Sequence, residues 1–212
     1  MKSHPKSDTS KQLESKLRRS LMLTYQRLYT LGFGVGNDGN GSARINSTQI
    51  LITPRGVDKA RMTPKDMVRM ELSGRVFKSG QLPSSEHLMH LEIFHTRPDV
   101  KAIIHSHAPY ATALSFSKLT LTENYLPELM LALGPVPTVA YAPTGTQSLA
   151  TAVGVAIKSP QVCALLLERH GVLAVGDSPE AALQRLERLE HGCKILLLAA
   201  SSFGALSPLK ET

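Results

Sequence analysis

A chain of 212 residues, 42% of them hydrophobic, is long enough to bury one sizeable core. Its 24 basic and 17 acidic residues leave a net charge of +7, which favours an anionic small substrate without identifying one. There is no Trp and aromatics are few, which argues against a stacking platform for nucleic acid, and no apolar run is long enough to span a bilayer.

Residues 1–9 are polar and read as a disordered tail, leaving 10–212 as one domain. Much of the basic excess lies near this end (Lys2, Lys6, Lys11, Lys16, Arg18, Arg19), where it reads as a solvated tail and an exposed helix face. No apolar segment follows those charges, so they do not make a secretory signal. Cys163 and Cys193 lie far apart in apolar stretches and are expected to be buried thiols in a reducing, cytoplasmic compartment.

From Ser10, the residues Leu13, Leu17, Leu21, Tyr25, Leu28 and Leu31 recur at helical spacing until Gly32. Residues 34–42 form a glycine-rich loop leading into a strand at 43–45. A turn at Asn46-Ser47 precedes a second strand at 49–53, and Pro54-Arg55-Gly56 is a turn. Thr63 and Pro64 start a short helix. Residues 68–72 and 75–77 flank Ser73-Gly74 as a hairpin. Pro83-Ser84-Ser85-Glu86 opens a helix that runs to about Thr96 and stops before Pro98. Residues 100–104 are a buried strand running into His105-Ser106-His107. Residues 111–117 read as helix, 119–121 and 136–141 as strands, and 148–158 as helix. A buried strand at 162–167 runs into Glu168-Arg169-His170-Gly171, and 172–175 continue beyond it. Asp177-Ser178-Pro179-Glu180 starts a last helix that reaches about Ser202. The expected fold is α/β: a single domain whose central sheet, mostly antiparallel or mixed, is flanked by helices.

The period of two along a strand puts His105 and His107 on one face, where two imidazoles suit a divalent metal. Two unrelated histidines at a strand end fit the same spacing. His170, where a buried strand meets Gly171, is either a third ligand or an ordinary polar residue. Glu86 is either a base or an acid complementing a helix dipole. The helix start with Ser84 and Ser85, and the loop ending Gly39-Asn40-Gly41-Ser42, are plain turns or backbone N–H cradles for an anion. The loop is neither a Walker loop nor a dinucleotide fingerprint, because no Lys-Ser/Thr follows it and a strand comes next. His4, His87, His90, His95 and His191 have weaker claims to a site; His87 and His90, on the Glu86 helix, either approach one or, as the preferred reading, are solvated helix positions.

Taken in order, Gly39-Asn40-x-Ser42, Ile52-Thr53-Pro54-x-Gly56, Pro83-Ser84-Ser85-Glu86, His105-x-His107 and His170-Gly171 resemble the class II aldolase/adducin family, most nearly its L-fuculose-phosphate aldolase branch. The resemblance runs from about Leu13 to about Leu198. It implies one Zn2+ per subunit on His105, His107 and His170, with Glu86 as a further ligand and the proton-transfer group. It implies that Asn37, Gly39, Asn40, Ser42, Arg55, Gly56, Ser84 and Ser85 hold substrate phosphate, and that the protein is a homotetramer with sites between subunits. The implied reaction is reversible cleavage of a ketose 1-phosphate to dihydroxyacetone phosphate and an aldehyde, with no Schiff-base lysine. The same scaffold serves sugar-phosphate dehydratases, decarboxylases and epimerases, and a non-catalytic adducin module. Glu in place of Asp at 86 favours the aldolase over the epimerase. Asn37 and Glu128 replace a Thr and a Tyr of the fuculose branch, and Glu128 is a candidate acid/base. The chain also ends where that branch continues into a Tyr-bearing tail.

Overall fold

The computed structural model describes residues 6–117, 121 and 125–203. Along the chain the elements are α1 (Lys6–Thr30), β1 (Asn40–Arg44), β2 (Gln49–Ile52), a 3-10 turn (Pro64–Asp66), β3 (Val68–Glu71), α2 (His87–Thr96), β4 (Ala102–Ser106), α3 (Pro109–Leu114), α4 (Pro127–Leu133), β5 (Thr138–Val139), α5 (Gln147–Ala156), β6 (Ala164–Leu167), β7 (Gly171–Gly176) and α6 (Pro179–Phe203). The seven strands form one sheet in the order β3-β2-β1-β4-β7-β6-β5. Neighbours are antiparallel except β5 and β6, so the sheet is mixed, as expected.

Alternation along the central strands sorts their side chains into two cores. Ile103, Leu173 and Val175 pack with Met89, Ile93 and Phe94 of α2 and with Leu149 and Val153 of α5. Their neighbours Ile104, Val172 and Ala174 face the other way, into Leu21, Tyr25 and Leu28 of α1 and Leu186, Leu189 and Cys193 of α6. Helices on both faces explain why β4 and β7 read as unbroken apolar runs rather than as alternating ones. His105 shares its face with Ile103 and so looks toward α2.

Several elements differ from expectation. Helix α1 begins at Lys6, inside the expected tail, because extending a nucleated helix is far easier than starting one; residues 1–5 lie outside the described residues. Asn40, Gly41 and Ser42 belong to β1 rather than to a loop, pairing with His105, Ile104 and Ile103 of β4. A glycine is required within that strand: a Cβ on Gly41 would stand 2.8 Å from the Tyr25 ring. The second arm of the 68–77 hairpin is reduced to a bridge between Met70 and Val76. The strand at 136–141 shrinks to Thr138–Val139, since Pro137 offers no N–H to a ladder. Helix α4 was not anticipated, because seven residues are too few to display a helical period. The expected strand at 119–121 falls mostly outside the described residues, and Leu121 is in no strand. Cys193 is buried as expected, whereas Cys163 is partly exposed. Among the described residues, no helix is long and apolar enough to cross a membrane.

Candidate metal centre

Three chain segments deliver the histidines to one point. His105, fully buried, lies on β4 with its Nδ1 2.9 Å from the Val172 carbonyl. A carbonyl can only accept, so Nδ1 carries the proton and Nε2 keeps its lone pair. His107 stands just past the strand end, its amide donating to the Phe33 carbonyl at 3.1 Å. His170 sits in the turn between β6 and β7, where Arg169 adopts φ 55. Gly171 permits this approach: a Cβ there would lie 2.5 Å from the Ser106 carbonyl oxygen and 2.9 Å from the His107 ring.

The three imidazole centroids are 4.7, 5.1 and 5.3 Å apart, and one ligating atom from each lies within 4.8 Å of the others. Burial, followed by the neighbouring His170 and His107, holds His105 well below the usual histidine range. Burial is also the main cause lowering His170. Neutral imidazole is the form that binds a metal.

Glu86 is the N-cap residue of α2, yet its side chain makes no capping bond. It turns inward instead. Oε2 is 3.4 Å from His105 Nε2, and Oε1 is 3.3 Å from His170 Nε2. A capping bond therefore does not account for where this carboxylate points. Glu86 Oε1, His105 Nε2, His107 Nε2 and His170 Nδ1 are all buried without a hydrogen-bond partner. An unsatisfied buried polar atom costs about 1–3 kcal/mol, so such a cluster calls for a common ligand. Three imidazoles and a carboxylate form a donor set that fits zinc or a similar divalent ion.

Beside the cluster is a cleft of about 180 Å3. It unites Asn37, Gly39, Asn40, Arg55, Gly56, Ser84, Ser85 and Glu86, all expected from sequence, with His107. Asp38 and Lys59 also line it and were missed. Asp38 Oδ2 lies 3.4 Å from His107 Nδ1; its place in the glycine-rich loop was the available signal. Lys59 had none. Its buried ammonium donates to the Val57 carbonyl at 3.0 Å, and desolvation lowers its pKa.

The model of the class II aldolase and adducin N-terminal domain matches residues 19–197. The chain belongs to the class II aldolase and adducin family. L-fuculose phosphate aldolase of Escherichia coli strain K12 is 31% identical over 176 residues, spanning 83% of this chain and 80% of that protein. The 3-oxo-tetronate 4-phosphate decarboxylase of the same strain is 28% identical over 196 residues, 91% of each chain. The crystal structure of YgbL from Escherichia coli matches with a TM-score of 0.83 at 25% identity, covering 93% of this chain and 95% of that one.

Two expectations for this class II aldolase family member need correction. Ser42 does not line the cleft. It is fully buried on β1, and its Oγ lies 2.7 Å from His90 Nδ1. His90 is not solvated but fully buried, because it lies one helical turn beyond Glu86 on the face of α2 turned to the sheet. Its Nε2 is 2.6 Å from Asn40 Oδ1, and Asn40 Nδ2 donates to Glu86 Oε2 at 2.7 Å. Glu128 is not brought to the histidines within one chain. It lines a separate cleft of about 800 Å3 with Arg188, His191 and Ile195.

Burial, with His105 nearby, pushes the His90 pKa down from 6.5 to about 3. The unfolded chain therefore binds a proton that the native one refuses. Stability from this site is fully present above pH 6.5 and is lost as pH falls toward 3, at about 1.4 kcal/mol per pH unit. Urea unfolding of chelator-treated protein should give about 2 kcal/mol less stability at pH 5 than at pH 7 from His90 alone. Equal values at the two pH settings would contradict a neutral, buried His90.

Proposed function

We propose that this chain is a metal-dependent aldolase that reversibly cleaves a ketose 1-phosphate, similar to L-fuculose 1-phosphate, into dihydroxyacetone phosphate and an aldehyde. The observation that carries this reading is the convergence of three imidazoles and a carboxylate, all with unpartnered buried atoms, beside a cleft lined by Arg55, Lys59, Ser84 and Ser85. His105, His107, His170 and Glu86 would hold one Zn2+ per subunit. When bound, such an ion supplies Lewis-acid stabilisation of negative charge on the substrate oxygens.

The chain's own groups do the rest. Arg55, Lys59, the Ser84 and Ser85 hydroxyls and the loop at Asn37 and Gly39 hold the phosphate at the non-reacting end, so that its binding energy orients the reacting carbons. The bond between C3 and C4 breaks. The C4 hydroxyl gives its proton to Glu128 of a neighbouring subunit as the aldehyde leaves, and Glu86 delivers a proton to C3 of the three-carbon fragment. In the reverse direction both protons retrace their paths. A homotetramer with sites between subunits would bring Glu128 into place, and its position in a cleft that His105, His107 and His170 of its own chain do not line supports that arrangement. The free thiols Cys163 and Cys193 support a cytoplasmic location.

A second reading is decarboxylation of a sugar-acid phosphate on the same centre. It is favoured by the 91% mutual coverage with 3-oxo-tetronate 4-phosphate decarboxylase. Incubating zinc-loaded protein with a panel of ketose 1-phosphates and 3-oxo acid phosphates separates the two. Dihydroxyacetone phosphate with an aldehyde supports cleavage. Release of CO2, or a dehydrated ketone, without dihydroxyacetone phosphate would rule it out.

A further inference from the structure

We infer that His90 and Ser42 are positioning residues which, acting through Asn40, orient the Glu86 carboxylate so that Oε2 is held and Oε1 alone is left free toward the metal centre. The inference rests on the metal-centre reading but not on which substrate is cleaved.

Four side chains form one unbroken hydrogen-bonded line: Ser42 Oγ to His90 Nδ1 at 2.7 Å, His90 Nε2 to Asn40 Oδ1 at 2.6 Å, and Asn40 Nδ2 to Glu86 Oε2 at 2.7 Å. All four are buried, so water cannot substitute for a missing partner. The direction of the line follows from donor and acceptor counting. An ionised carboxylate only accepts, so the Asn40 amide nitrogen must face Glu86. The Asn40 carbonyl therefore faces His90 and needs a donor, which places the His90 proton on Nε2. Nδ1 is then an acceptor, and the Ser42 hydroxyl, which can rotate, donates to it. The backbone makes this possible at both ends. Asn40 and Ser42 are two apart on β1 and share a face, while Glu86 and His90 are four apart at the start of α2. The line thus joins strand and helix at two points and ends on the one carboxylate of the centre.

If His90 loses its N–H, the Asn40 carbonyl is left buried without a donor. The Asn40 side chain then loses one of the two bonds that fix its rotamer, and its hold on Glu86 Oε2 loosens. A purely space-filling His90 would have no such consequence, since a Leu fills the same place.

The test uses full-length protein and metal alone. Zn2+ affinity is measured by competition with a chromophoric chelator, and ligand geometry by the visible absorption of the Co2+-loaded protein. His90→Leu should weaken Zn2+ binding about 10–100-fold and alter the Co2+ bands, as loss of partners behind metal ligands does elsewhere. His90→Gln, which can place an N–H near the former Nε2, should restore most of the affinity and the wild-type bands. Ser42→Ala should shift both readouts in the same direction but less, and it carries the test if His90→Leu does not fold. Variants that lower only the melting temperature, with affinity and spectrum unchanged, would overturn the inference. So would equal losses in His90→Leu and His90→Gln. A wild-type chain that binds neither metal would overturn it together with the metal centre. A chain that binds metal normally but cleaves no ketose phosphate refutes the aldolase reading alone and leaves these readouts decisive.

Discussion

His107→Ala is expected to abolish stoichiometric metal binding while leaving a folded chain. His107 is the right histidine to remove because its side chain keeps 33% of its exposure, whereas that of His105 has none. Truncating His105 would open a cavity between β4 and α2 and mix a packing loss with a ligand loss. Removing His107 takes away one of the three imidazoles and leaves only His105, His170 and Glu86 at a site shaped for four donors. The loss of affinity should exceed about 100-fold, the upper end of what removing a mere second partner of a ligand costs. Metal analysis after dialysis, together with circular dichroism of the same sample, checks this. One metal per chain, retained at wild-type affinity, would remove His107 from the centre.

Glu86→Gln should keep the site and lose the turnover. Gln is nearly the same shape, and its carbonyl oxygen can accept the Asn40 amide bond that Glu86 Oε2 now accepts. Its amide then occupies the place of Oε1, beside His170. What disappears is the charge and the capacity to carry a proton. If Glu86 moves the C3 proton, kcat should fall by about 10^2–10^4, the usual contribution of a positioned acid/base, with a modest loss of metal affinity and little change in KM. Full activity of Glu86→Gln on a substrate that the wild type cleaves would assign the proton to another group.

The pieces of this centre that could be read from sequence are those set by local geometry. His105 and His107 share a face because a strand repeats every two residues, whatever surrounds it. Glu86 was legible as an acid at a helix start, but whether it served the helix or a site was not. The answer depended on Asn40 and the histidines waiting opposite, and the side chain makes no capping bond at all. His90 is the clearest miss. On its own helix it is one polar residue among several, and nothing within α2 says that β1 passes over it. Ser42 fails for the mirror reason. A Gly-Asn-Gly-Ser run reads as a loop, and only pairing with β4 turns it into a strand whose hydroxyl faces inward.

The sequence by itself determined which chemical groups are present, the mixed α/β architecture, the His-x-His pair, and the family to which the motif order belongs. Periodicity specifies which side of an element a residue occupies, and motif order survives without knowledge of contacts. The tertiary structure alone decided what stands across from each side. It set β1 against β4, brought the turn after β6 up to the end of β4, buried His90 between helix and strand, and left Glu128 in a separate cleft. Those juxtapositions join residues far apart in the chain. They depend on strand order and packing, which no local pattern encodes.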